Sequence, residues 1–224
     1  MKKIDQAIHD IRARLAWPVR EETGESPEFQ IVSYPERREH VISWPRPDAP
    51  AGPPRQIEML HELVHALLAE QVHHEFSGHL FKRGTSDDDI RIVSWACRAA
   101  ADWFVDGQLM SLVPEEEKAE IEEHFGLVAR VFTSGRAPHG DVFFLLSAGL
   151  MIAQAVKFLG TKVETGGSLA GVVQAFLEIP PEHPTIESLL SLMNRLLAVY
   201  CNRRVRLVQD GNLEVLEICV GGGD

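Results

Sequence analysis

The residues best suited to chemistry are His61-Glu62-Leu63-Val64-His65, an HExxH pattern. Residues four apart on a helix stand one turn above each other, so both imidazoles can reach one ion while Glu62 projects beside it. Neutral imidazole nitrogens suit zinc, and a hydrolytic zinc site needs one further protein ligand plus an open position for water. Glu62 then serves as the base for that water. The flanking Met59, Leu60, Leu63, Val64, Ala66 and Leu67 are uncharged, which predicts a buried helix. There an unpaired pair of imidazoles carries a desolvation cost that metal binding offsets.

A third ligand must come from elsewhere in the chain. The segment from Trp95 to Asp106 offers Asp102 and Asp106, one helical turn apart among small and aromatic residues. Acids seldom occupy such apolar surroundings without a partner. Asp102 is assigned to the metal and Asp106 to the N–H of a liganding histidine, whose tautomer and orientation it would fix. The spacing equally allows the reverse assignment.

These side chains need elements to hold them. Residues 2–16 carry Ile4, Ile8, Ile11 and Leu15 at helical spacing, and Pro18 ends that helix. Phe29–Tyr34 and His40–Trp44 read as a two-stranded hairpin, whose second strand is placed along the cleft to pair with an extended substrate. Five prolines between Trp44 and Pro54 predict a stiff extended connector. The motif helix is expected from Arg55 to about His74, and a second helix from the Ser86-Asp87-Asp88-Asp89 start to Leu112, stopped by Pro114. Helices follow near 115–124, 141–158, 167–178 and 185–200. The strands Val205–Val208 and Leu213–Cys219 close a terminal hairpin about Asp210-Gly211.

With these residues in place, the chain resembles the gluzincin type of zinc metallopeptidase, in which a second helix supplies an ExxxD pair. Here Asp102-x-x-x-Asp106 has aspartate where that group has glutamate, so the first acid reaches less far. The chain is more similar to the metallopeptidase domains that occur with von Willebrand factor A partners in bacteria. Their helix reads A-A-D-(aromatic)-x-(Val or Ile)-N-x-x-L, and this chain has Ala100-Ala101-Asp102-Trp103-Phe104-Val105-Asp106-Gly107-Gln108-Leu109. The likeness spans roughly residues 28 to 112. It implies a zincin-like core with Asp102 as third zinc ligand. The metzincin pattern is excluded, because Leu68 and Gln71 stand where its glycine and third histidine belong. A resemblance to repressor-cleaving metallopeptidases would place Arg98 at the ligand glutamate, and it ranks lower.

The remaining features set bounds. Twenty-two Lys and Arg against 33 Asp and Glu give a net charge of −11, which disfavours nucleic acid and anionic membranes as partners. Three cysteines without CxxC spacing suit a reducing cytoplasm. The apolar run Val142–Val156 is shorter than the roughly 20 residues of a membrane span and reads as a core helix. His139 and Tyr34 are candidate transition-state stabilisers. His73, His74 and His79 are read as a helix end and loop, because His73 lies about 12 Å beyond His65 along the helix. The arginines of 203–206 are given no role.

The expected fold is therefore α+β and predominantly helical, one domain over 1–224. Residues 1–112 form the zincin-like core, and 113–224 form a helical half ending in a hairpin. The expected activity is zinc-dependent peptide hydrolysis on a peptide or protein substrate. The alternative is a catalytically silent scaffold acting through a protein partner.

Overall fold

The computed structural model describes residues 3–23, 29–46, 55–133 and 140–221. The fold is mixed α+β and predominantly helical. Ile4 and Ile11 bury one face of α1 (Lys3–Arg14) on the motif helix, α2 (Gln56–Gln71). Between them lies a sheet of β1 (Val19–Thr23), β2 (Gln30–Tyr34) and β3 (Glu39–Trp44) in the order β1-β3-β2.

The expected β2–β3 hairpin forms, with Tyr34 opposite Glu39 and Gln30 opposite Ser43. Unexpected is β1, which pairs parallel to β3. Its sequence, Val-Arg-Glu-Glu-Thr, has no apolar alternation, and the structure shows why: it is a charged, solvent-facing edge. The consequence corrects one expectation. His40–Trp44 is the central strand, with both edges paired, so it cannot take an added strand; the edges of the sheet are β1 and β2. The proline-rich connector lies mostly outside the described residues.

The motif helix ends at Gln71, three residues early, because the N–H groups of Val72 and His73 both close on the Leu68 carbonyl. A short 3-10 turn, His74–Phe76, follows. Ser86 then caps α3 (Asp87–Leu112) by accepting from the Asp89 N–H, and three aspartates favour the positive end of the helix. Pro114 both stops α3 and begins α4 (Pro114–Thr133), where its missing N–H costs nothing. The expected end near 124 is too early: Ile121 and Val128 continue one buried face through Gly126.

The helices α5 (Val142–Leu159), α6 (Gly167–Leu177) and α7 (Ile186–Tyr200) stack in succession, and α3 also packs on α5 and α7. Among the described residues α5 alone is long and apolar enough to cross a membrane. Its packing against α3, α4 and α6 makes it a core helix here. The last hairpin, β4 (Arg203–Asp210) and β5 (Leu213–Val220), turns at Gly211, whose φ of +69° suits glycine. On β5, the Leu216 backbone receives the Lys82 N–H and donates to the Leu80 carbonyl, adding residues 80–82 beside the hairpin.

One carboxylate fastens the sheet to the motif helix. Glu70 accepts the N–H groups of Ala16 and Trp17, each at 2.8 Å, and lies 2.8 Å from Nε2 of the fully buried His40. His40 Nδ1 meets the Ser33 hydroxyl at 2.7 Å, and that hydroxyl reaches Ser77 at 2.8 Å. Burial works against charge on Glu70, but His40 and the two backbone donors outweigh it and hold the carboxyl below its ordinary range. A lowered folded-state pKa gives stability that is present at neutral pH and lost as pH falls through that pKa. Glu70→Ala is expected to cost about 2–3 kcal/mol at pH 7 in urea unfolding, by stranding two N–H groups and an imidazole. The difference from wild type should shrink steadily below about pH 4.

Candidate metal centre

The helix α2 presents His61 and His65 toward α3, and α3 presents Asp102 between them. His65 Nε2 stands 3.1 Å from His61 Nε2 and 3.2 Å from Asp102 Oδ1, and His61 Nε2 stands 3.7 Å from the same oxygen. The other ring nitrogens are engaged. His65 Nδ1 lies 2.5 Å from the Phe76 carbonyl, and His61 Nδ1 lies 3.3 Å from Asp106 Oδ1. A carbonyl and a carboxylate accept only, so the protons of both neutral rings belong on Nδ1 and the two Nε2 atoms turn lone pairs toward each other.

Three acceptors without a donor between them call for a cation at their centre. A proton on His61 can answer one pair at a time, whereas a divalent ion answers all three. Zinc bonds of about 2.0–2.1 Å in a tetrahedron set ligand atoms about 3.3 Å apart. The observed separations of 3.1, 3.2 and 3.7 Å bracket that edge. The donor set therefore fits a zinc ion held by His61, His65 and Asp102.

The electrostatics agree with a cation site. Burial opposes charge on His61, but Asp102 and Asp106 outweigh it and hold this imidazole well above the usual histidine range. Burial likewise opposes charge on Asp102, yet the neighbouring His61 and His65 rings hold its carboxyl well below the usual carboxylate range. Asp106 is itself buried and receives a hydrogen bond from Gln154 of α5, so a chain of contacts runs from the apolar core helix through Asp106 to His61. Nearby, Glu117 of α4 is buried. Desolvation and the Asp106 charge push its carboxyl up to about 8.

A cleft of about 440 Å³ opens on this centre. Its walls are β2, the turn 76–80, and α3 from Arg98 to Asp102. Glu62 lies in it, and its Oε2 accepts the Ile31 N–H of β2 at 2.7 Å. Along an antiparallel strand alternate residues face one edge, so Ser33 shares the outward edge with Ile31. Tyr34 lines the same cleft, with the Arg37 guanidinium 4.0 Å above its ring. His139 lies outside the described residues.

Four residues escaped the reading of the sequence. His79, taken there for a loop residue, lines the cleft, and its Nδ1 lies 3.2 Å from a carboxylate oxygen of the fully buried Glu75. Burial opposes the Glu75 charge, but His74, His79 and the Leu80 N–H hold that carboxyl below its ordinary range. Gln154 was visible as a polar interruption of an apolar run, and only the fold shows that it serves Asp106. Glu117 and Arg98 carried no distinguishing pattern.

Purified protein given zinc is expected to hold about one ion per chain, and His61→Ala, His65→Ala and Asp102→Ala should each abolish or weaken it, as read by elemental analysis. Binding must displace the His61 proton, so calorimetry in buffers of different ionisation enthalpy should show proton release at neutral pH and weaker binding as pH falls. Glu117 has a raised folded-state pKa, so its contribution is complete below about pH 4.5 and is lost as pH rises through about 8. Urea unfolding of metal-free Glu117→Gln, which cannot ionise, should therefore gain on wild type between pH 5 and 8 by on the order of 3 kcal/mol. No family model, no curated protein and no solved structure matches this chain, so the geometry of its own residues carries the assignment.

Proposed function

We propose that this chain is a zinc-dependent hydrolase of peptide bonds. The observation that supports it best is the placing of Glu62, with one free carboxylate oxygen, in the same open cleft as three converging acceptors from His61, His65 and Asp102. A bound zinc ion supplies a Lewis acid for the scissile carbonyl and lowers the pKa of water to about 7. The Ile31 N–H holds Glu62 Oε2 in place and leaves Oε1 to take a proton from the attacking water. Glu62 then returns that proton to the leaving amine. His79, whose Nδ1 is held by Glu75, lines the cleft as Tyr34 does and is a further candidate to meet the substrate carbonyl.

The substrate is a peptide or an extended protein segment, because β2 is an edge strand that lines the cleft beside Glu62. The three cysteines, Cys97, Cys201 and Cys219, are unpaired, which suits a reducing cytoplasm as the place of action. The resemblance to bacterial metallopeptidase domains points the same way.

A second reading keeps the metal and drops the chemistry. The bond from Ile31 to Glu62 gives the glutamate a structural task, tying the sheet edge to the motif helix, so its presence alone does not require catalysis. In that case the chain is a scaffold acting through a protein partner. Glu62→Gln separates the two, since an amide oxygen still accepts the Ile31 N–H but cannot act as base. Zinc content and unfolding free energy are expected within about 0.5 kcal/mol of wild type. Peptide hydrolysis, followed by mass spectrometry on a peptide library, should fall at least about 100-fold. Equal rates in both proteins would sink the hydrolase and leave the scaffold.

A further inference from the structure

We infer that Arg98, with Trp95 and Phe143 beside it, is a subsite for a carboxylate on an apolar peptide segment. The inference deepens the hydrolase reading and rests on it. It narrows the substrates to peptides with an anionic group close to the reacting bond.

Trp95, Arg98 and Asp102 are spaced three and four apart on α3, so they share one face of that helix. The face runs outward from the metal centre. Arg98 lines the cleft and is exposed, and no described acid pairs with it. It shares this with Arg14, Arg38 and Arg204, whereas Arg55, Arg195, Arg203 and Arg206 each hold a carboxylate; Arg98 differs from the first three in lining the cleft. Arg98 supplies the only guanidinium or ammonium among the described residues that line the cleft. The acids that share the lining, Glu62 and Asp102, are committed to the Ile31 N–H and to the metal centre.

The guanidinium carbon lies 5.7 Å from the centre of the Trp95 ring, at the outer limit of a cation–π contact, which limits the orientations the side chain samples. Such a planar fork matches a carboxylate with two parallel hydrogen bonds. Trp95 in turn meets Phe143 of α5, ring centres 4.6 Å apart. Four large hydrophobic side chains among the described residues are exposed, and two of them are this pair, Trp95 at 37% and Phe143 at 51%. Exposed aromatics stacked beside an unpaired cation form a surface suited to an apolar side chain next to an anion.

Spacing sets the register. Arg98 lies about 6 Å and Trp95 about 10.5 Å from Asp102 along the helix axis. An extended peptide advances about 3.3 Å per residue. Its carboxylate therefore meets Arg98 about two residues from the reacting bond, and an apolar side chain meets Trp95 and Phe143 about one residue further. The carboxylate has two sources, a free C-terminus or an acidic side chain.

The test needs no turnover. Full-length protein, with and without zinc, is titrated by calorimetry with N-acetyl-phenylalanine, its uncharged amide, and N-acetyl-aspartyl-phenylalanine amide. Wild type should bind at least one charged probe about tenfold more tightly than Arg98→Gln does, the effect of a charge-assisted hydrogen bond pair. Arg98→Lys should fall between them, and the uncharged amide should bind wild type and Arg98→Gln alike. Dependence on Arg98 for the acetylated amino acid assigns a C-terminal carboxylate, and dependence for the aspartyl amide assigns a side chain. Both charged probes binding wild type and Arg98→Gln equally, with unchanged circular dichroism, would overturn the subsite. Because the readout is binding, a failure of Glu62-dependent hydrolysis leaves this result standing, and a failure here leaves the hydrolase intact.

Discussion

Two imidazole nitrogens and a carboxylate oxygen face one another within 3.7 Å, and keeping these three polar atoms converged on one point is the constraint around which the structure is arranged. Such convergence requires that the rings also be held from behind. The holding contacts come from different parts of the fold. Phe76, in the turn after α2, holds His65, and Asp106 on α3 holds His61. Gln154 on α5 holds Asp106 in its turn. Contacts of this kind fix tautomer and ring orientation, so the three polar atoms converge without an ion to gather them.

The helix α2 bears most of this organisation. Its middle carries His61, Glu62 and His65, while Glu70 near its end grips the central strand through His40 and the chain after α1 through two backbone amides. Leu60, Leu63 and Val64 fill the core between. The sheet is therefore indexed to His61 and His65 by two bonds along one rigid element, Ile31 to Glu62 and His40 to Glu70. A shift of the sheet by one residue would break both at once and turn the strand faces inside out.

What could be read from the residues divides along physical lines. The motif helix and the meeting of His61 with His65 were legible because their spacing and the helical period coincide at four residues. Asp102 and Asp106 stood out as acids in apolar company. The strand β1 was illegible because a charged edge strand has no alternation to detect, and its pairing depends on a neighbour far along the chain. His79 was read as a loop residue, as it is, but its contact with Glu75 was not legible, because that partner sits in a 3-10 turn that no helical pattern announces. Choosing β3 for the cleft failed for the same reason as missing β1: which strand is an edge is a property of the assembled sheet. Gln154 could be noticed in the sequence but not explained, since its meaning lies in Asp106, on another helix.

The pairing of residues 80–82 with β5 has a temporal consequence. Lys82 and Glu217 join across 135 residues of sequence, and the backbone bonds to Leu216 span a similar interval. The turn that bears His79 and follows Phe76 leans on a hairpin that emerges from the ribosome long afterward. At roughly 5–20 residues per second, the helices that carry His61, His65 and Asp102 are made several seconds before that support is. The nascent chain therefore passes through a stage in which both of these helices are made and the cleft wall is not. Contacts of such long range also slow the final search, because loop closure must precede the reward of pairing. Maturation of the cleft becomes a late event in the life of the chain, set by its topology.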